Sequence, residues 1–479
     1  VGSKFYAHKL CFRAFQSHAF SGQHRPELQL ADFTRFNSDV FNGATNLEVL
    51  DLSENFITEF PSVALKSFVG LKFLNLSSNL IQSLENANLA TQPELERLDL
   101  SRNNIANIAP GTFLGLNHLK ELDLSVNALR TVEDDAFEGL TGLESLLLKD
   151  NNILLVPASA LGRLPSLESL QLDYNRVAAL SADILRAVAG RVTVLSLARN
   201  VVRELPSSSF KEFIHLHALD LSGNLLVSVA ASTFTGLEDT IVEINLSGNR
   251  LTSVPAPPIS LPQLQYLDIS RNQLAEIPRL AFTQLPSLVH LNLSHNPALG
   301  SISPTLFQNL PELAELDLSH TGLKMLSPEF LLRSQNLEKA FFSDNLIQEV
   351  QEGAFRNLRN LTVIDLSNNQ ILNIRTGAFM GLRNIQELYL NSNRLTAFKG
   401  EFFRNFGSDG NLGTSLQILD LSDNELSYLF PSSFRVHPRL RRLTAAGNKF
   451  SFFPAELIAS LQYLNSSTSD EILYEVSKI

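Results

Sequence analysis

The sequence predicts an α/β repeat protein: a curved, horseshoe-like solenoid with a parallel sheet on its concave face and turns and short helices on its convex side. Three observations carry this expectation. The pattern LxxLxLxxNxL returns along the chain, mostly every 24 residues. Phenylalanine is abundant at 32 while tryptophan is absent, as expected if one aromatic type fills one recurring slot. Of the 479 residues, 44% are hydrophobic and 18% charged, which suits a packed core and opposes disorder.

The strand comes first. Clear copies of the pattern begin at Leu47, Leu71, Leu95, Leu119, Leu143, Leu167, Val192, Leu216, Ile241, Leu264, Leu288, Leu313, Leu337, Leu361, Ile385, Leu416 and Leu440. A degenerate earlier copy covers Leu28 and Leu30. Within LxL the apolar side chains alternate, so each copy holds a short strand with one buried face. Such a strand is too short to stand alone. Stacked copies pair about 4.8 Å apart into one parallel sheet, and seventeen of them give an arc on the order of 80 Å.

The turn comes next. Asn55, Asn79, Asn103, Asn127, Asn151, Asn175 and Asn200 form a column that turns the chain inward after each strand. Buried amides there need backbone partners on adjacent turns, because an unpaired polar group in the core is costly. Thr321 replaces the asparagine once and offers fewer bonds.

The outer half of the repeat carries the aromatic slot: Phe113 in GTFLGL, Phe137 in DAFEGL, Phe234 in STFTGL, Phe282 in LAFTQL and Phe379 in GAFMGL. One ring per turn predicts a stacked spine. The outer side is bulkier than a strand, so the stack must curve.

This period, with that phenylalanine, resembles the extracellular class of leucine-rich repeats. Within the class the chain is similar to chaoptin-like arthropod cell-surface proteins. The residues behind this are 25-residue repeats, such as the one spanning Thr235 to Pro255 around Asn249, and the extra residue in Ala189 to Asn200. The resemblance implies a non-catalytic role in cell adhesion, with a lipid anchor on the membrane. Toll-type receptor ectodomains share the general pattern. Cysteine-rich end caps are expected of the class, but Cys11 stands alone. The chain starts with Val1 and shows no apolar run long enough to span a bilayer, so it reads as a piece of a longer protein. Any membrane attachment would come through an anchor outside this sequence.

The expected organisation is a poorly defined segment at 1–27, the solenoid at 28–464 and a tail at 465–479. Two places break the rhythm. An insertion near 399–415 stretches one repeat to 31 residues, and the prolines of Val254 to Pro262 favour extended chain over helix.

Candidate sites fall on the sheet. The position between the strand leucines is largely acidic, Asp99 and Asp123 included. It reads either as a binding face for a basic partner or as a solubilising consensus. Phe73, Tyr174, Tyr266, Phe341 and Tyr389 should face outward, and large apolar groups on a solvated sheet need a reason. A register adjustment at Ala340-Phe341-Phe342 would account for Phe341. Glycan acceptor motifs occur at Asn75, Asn245, Asn292, Asn360 and Asn465. Three lie on the concave column, where glycans would obstruct the face.

Arg271, His295, His320 and Asp344 occupy one position in successive repeats, which sets the two imidazoles about 5 Å apart. No phosphate loop, nucleophile elbow or paired-cysteine motif is present, and Ser294 and His295, adjacent on a strand, should face apart. The expectation is therefore no enzyme, no cofactor and no metal. A formal charge of −11 repels a phosphate backbone, so nucleic acid is not an expected partner. The expected function is protein–protein recognition, as homophilic or heterophilic adhesion at the cell surface. The alternatives are a ligand-capturing receptor ectodomain and a secreted matrix protein.

Overall fold

A computed structural model describes residues 3–6, 47–254, 259–356, 358–403, 415–435, 437–452 and 456–457. The chain divides into two compact units: 1–226 with 232–241, and 227–231 with 242–479.

The first unit holds β1 (Ser3–Tyr6), β2 (Leu47–Asp51), β3 (Phe73–Asn75), β4 (Arg97–Asp99), β5 (Glu121–Asp123), β6 (Ser145–Leu147), β7 (Ser169–Gln171), β8 (Val194–Ser196) and β9 (Ala218–Asp220). Each pairs in parallel with the next, and from β2 onward the register is unbroken, with Leu50, Leu74, Leu98, Leu122, Leu146, Leu170, Leu195 and Leu219 in one line. Strand β1 pairs with β2 across a local irregularity, although the repeat pattern gives Ser3–Tyr6 no place.

The second unit holds β10 (Glu243–Asn245), β11 (Tyr266–Asp268), β12 (His290–Asn292), β13 (Glu315–Asp317), β14 (Lys339–Phe341), β15 (Glu349–Val350), β16 (Val363–Asp365), β17 (Asn373–Ile374), β18 (Glu387–Tyr389), β19 (Ile418–Asp420) and β20 (Arg442–Thr444). Strands β10–β14, β16 and β18–β20 form its parallel sheet. Strands β15 and β17 form a separate pair. The register adjustment expected at Phe341 is absent. Ala340 sits level with Leu316 and Ile364, and Ala340 and Phe342 are both buried. The smaller side chain simply takes the leucine slot.

After each strand the residue before the asparagine takes a left-handed backbone, as at Glu54 (φ 54°), Val126 (φ 56°) and Asp423 (φ 52°). That conformation costs an ordinary L-residue about 1–2 kcal/mol. It persists because the ladder continues past the strand: Glu54 N–H donates to the Ser77 carbonyl at 2.9 Å, and Val126 N–H to the Lys149 carbonyl at 2.8 Å. The asparagine column then behaves as its chemistry requires. Asn79 Nδ2 donates to the Leu52 carbonyl of the preceding turn (2.9 Å) and to Leu76 (3.0 Å), while its Oδ1 accepts from Ile57 N–H (3.0 Å). Thr321 Oγ1 bonds the Leu318 carbonyl at 2.7 Å and reaches Asn345 Oδ1 of the next repeat at 3.1 Å, and that oxygen also accepts from Thr321 and Leu323 N–H.

The phenylalanine spine is real but discontinuous. In the first unit Phe113 and Phe137 stack at 6.3 Å, as do Phe210 and Phe234. Between those pairs the slot holds Leu161 and Leu185, both buried. Helices α1 (Ser62–Leu65), α2 (Ala158–Gly162) and α3 (Ala182–Ala189) each carry leucine there. Where phenylalanine is present, glycine lets the turns approach: Gly139 has φ 95°, and a Cβ there would lie 3.0 Å from the Phe113 carbonyl. In the second unit Phe355 and Phe379 continue the spine at 5.6 Å. His437 is buried there, edge-on to Phe403 at 4.6 Å, and burial pushes its pKa down to about 3.

Of the two breaks in the repeat rhythm, residues 255–258 and 404–414 lie outside the described residues, as does the 465–479 tail.

Candidate functional site

The acidic column on the sheet has a structural task. Asp99 Oδ1 accepts the backbone N–H of Ser101 at 2.9 Å, and Asp123 Oδ1 that of Ser125 at 2.8 Å. Asp51, Asp220, Asp268, Asp317, Asp365 and Asp420 repeat the bond. A short side chain with an oxygen in this place closes the strand end as an Asx turn. Asp51 and Asp268 are buried by it, and burial, ahead of the opposing Ser101 bonds, raises the Asp99 pKa. Neither sequence reading of the column anticipated this. The signal was in the spacing: Asp or Asn followed two residues later by Ser.

The sequon asparagines at Asn75, Asn245 and Asn292 do the same work for Ser77, Ser247 and Ser294. Asn292 Nδ2 also donates to Asp268 Oδ2 at 3.3 Å. All three are half-buried, whereas Asn360 is exposed beside a shallow polar groove lined by Glu338, Thr362 and Gln386. Asn465 lies outside the described residues.

The five aromatics all reach the sheet side, but not as one cluster. Phe73 is half-buried with the Arg97 guanidinium 5.5 Å over its ring. Tyr174 lies past the end of β7 at φ 54°, is 51% exposed, and carries Arg199 at 5.0 Å over its ring. Tyr266 packs 6.1 Å from His290, and burial, then Asp268, raises its phenol pKa. Phe341 and Tyr389 flank Asp365 from β14 and β18. Burial, followed by the hydrogen bond to Glu387 at 2.8 Å, pushes Tyr389 up to about 12. Both shifts keep the Tyr266 and Tyr389 phenols protonated.

The second unit's left-handed column brings His295 and His320 to 4.7 Å between ring centres, with His320 Nδ1 3.6 Å from Asp344 Oδ2. Burial, then Arg271 and His320, lowers the His295 pKa. The sequence argument that Ser294 and His295 face apart fails. The positive φ swings the imidazole back, and its Nδ1 lies 3.3 Å from Ser294 Oγ. That hydroxyl also binds Asn292 Oδ1 at 2.8 Å, so the pair belongs to the turn network. Among the described residues no group of three or more His, Cys, Asp or Glu side chains is placed to hold a metal ion. No helix among them is long and apolar enough to cross a membrane.

A leucine-rich repeat family model matches residues 28–81, 93–153, 190–251, 239–297, 262–323 and 335–395, and a second matches 415–436. The chain belongs to the leucine-rich repeat family. The first match begins where the degenerate copy at Leu28 and Leu30 was placed. Transforming growth factor beta activator LRRC33 of Danio rerio is 39% identical over 108 residues, 22% of this chain but only 16% of that protein. A leucine-rich-repeat protein of Leptospira interrogans has a similar structure (TM-score 0.69, 22% identity), covering 91% of this chain and 98% of that one. Toll, in the Drosophila Toll–Spatzle complex, is similar at TM-score 0.67 and 21% identity over 87% of this chain and 56% of that one. At such identities the structural likeness speaks to the fold.

Proposed function

We propose that this chain is a non-catalytic protein-recognition scaffold working outside the cell, with cell adhesion of the chaoptin type as its specific role. The observation that carries the reading is the division of labour on the sheet. On most strands one carboxylate or amide oxygen is committed to the backbone, and the neighbouring outward side chains stand in rows about 4.8 Å apart. Such an array makes broad contact with another protein, and a charge of −11 disfavours nucleic acid. The acceptor motifs support the secretory route, with exposed Asn360 as the best-placed acceptor.

The test is clustering of non-adherent cells that display the full-length protein. Aggregation between expressing cells supports homophilic adhesion, and dispersed cells with abundant surface protein remove it. Capture of a secreted ligand by a receptor ectodomain is a second reading, favoured by the likeness to Toll in complex with Spatzle. It predicts tight binding of a soluble protein without clustering. Secreted chain whose intact mass is unchanged by deglycosylation would count against the extracellular placement.

A further inference from the structure

Three successive strands of the first unit abandon the Asx ladder. Where β5 and β9 carry Asp123 and Asp220, strands β6, β7 and β8 carry Leu147, Gln171 and Ser196. Two residues on, serine gives way to Lys149, Asp173 and Ala198. The departure is built into the scaffold. Buried Asp173 accepts the N–H of Ala198 from the next strand at 3.0 Å and the hydroxyl of Ser196, while its second oxygen lies 3.4 Å from Lys149 Nζ. One carboxylate in the following position thus does the work of a missing one, and the outward side chains are released from closing their own turns.

What they present is amphipathic. Leu147 and Gln171 are half-buried, Val194 is 36% exposed, and the half-exposed Tyr174 ring is braced by Arg199. Tyrosine and arginine dominate the energetics of protein interfaces, and a ring already held by a guanidinium loses little freedom on binding. The surround is acidic: Asp123 and Asp220 on the flanking strands, and exposed Glu144 and Glu168 along the edge. Lys149 is engaged by Asp173, so the rim keeps a negative excess.

We infer that the face of β6–β8, centred on Leu147, Tyr174 and Val194, is a docking site for a protein segment that carries an apolar side chain between lysines or arginines. The apolar group seats against Leu147, Val194 and the Tyr174 ring, and the cations face Glu144, Glu168, Asp123 and Asp220. This deepens the recognition reading and rests on it.

The experiment is selection of displayed random peptides on the immobilised whole chain, followed by affinity measurement with a synthetic peptide of the enriched sequence. Expected is enrichment of apolar residues bracketed by Lys or Arg. Binding should weaken with salt and fall about tenfold or more, the loss of one interface anchor, in the Leu147→Asp/Tyr174→Ser variant. Asp365→Asn, on the other unit's sheet, should leave it unchanged. If the double variant melts early, Tyr174→Ser alone gives the same comparison, because that ring lies outside the core. Enriched peptides without the pattern, peptides indifferent to folded variants, or no enrichment would each overturn the site. Binders indifferent to the variants would still leave protein recognition standing, since that reading falls only on the clustering and capture tests.

Discussion

Strands β3–β5 and β6–β8 share one unit and one backbone register, yet close their ends differently. In the first stretch Asn75, Asp99 and Asp123 each hold the N–H of their own serine two residues on. In the second that column is Leu147, Gln171 and Ser196, and a single Asp173 serves from the adjacent strand. The asparagine ladder, by contrast, runs through both. Asn151, Asn175 and Asn200 bond the preceding turn's carbonyl at 3.0, 2.9 and 2.9 Å, as Asn103 and Asn127 do at 3.0 Å. Burial explains the difference. A buried amide has no water to replace its partners, whereas a strand-end N–H at the solvent boundary does. The scaffold is therefore rigidly specified inside and adaptable on its sheet face.

The largest expected effect tests that contrast directly. Asn175→Ala strips Ile153 N–H and the Leu148 and Leu172 carbonyls of a buried partner, and should cost about 3 kcal/mol or more in denaturant unfolding. A loss no larger than that of Asp99→Ala would break the comparison.

Acid separates the same two classes. The buried His437 imidazole has a pKa near 3, below its ordinary 6.5, so the fold holds it neutral. Its stabilising contribution is full above pH 6.5 and is lost as pH falls toward 3, by about 1.4 kcal/mol per pH unit. His437→Phe should flatten that slope in melts recorded across the window. An unchanged slope would move the acid sensitivity to the sheet carboxylates.

Asp173→Ala should cost about 2 kcal/mol, because Ala198 N–H and Lys149 lose their acceptor together, with hydrogen exchange rising first at Ala198. Asp99→Ala, removing one half-exposed bond, should cost about 1 kcal/mol. Asp99→Asn keeps the bond, as Asn75 already does, and removes a carboxylate whose pKa burial raises. A raised carboxyl pKa destabilises the fold above that pKa and ceases to matter below the ordinary 3.8. The asparagine variant should accordingly melt slightly higher at neutral pH and alike with the parent in strong acid. Smallest of all, Leu147→Asp restores the ladder on β6 and should shift stability by about 0.5 kcal/mol or less, a new turn bond offsetting lost apolar contact. A large loss would mean that Leu147 is core and not face.

Much of this was legible beforehand. The leucine register, the asparagine bonds and the helical or turn-like outer side follow from periodicity, because each repeat can bury its apolar face only against the next. The spine was legible in composition but not in continuity: Leu161 and Leu185 sit in the same slot as the rings. The sheet face was legible in position only. Asp99 and Asp123 look like free charge in the sequence, and only the observed contact with a backbone N–H assigns them to the turn. Ser294 and His295 misled for the same reason, since alternation ends where φ turns positive.

The sequence by itself determined the family, the parallel sheet and the side chains that line the core, because burial with a fixed period has one solution. Tertiary structure alone decided which polar residues serve the scaffold and which are left to a partner. Asp173 reaches Ala198 across 25 residues, a pairing that exists only once the turns are stacked.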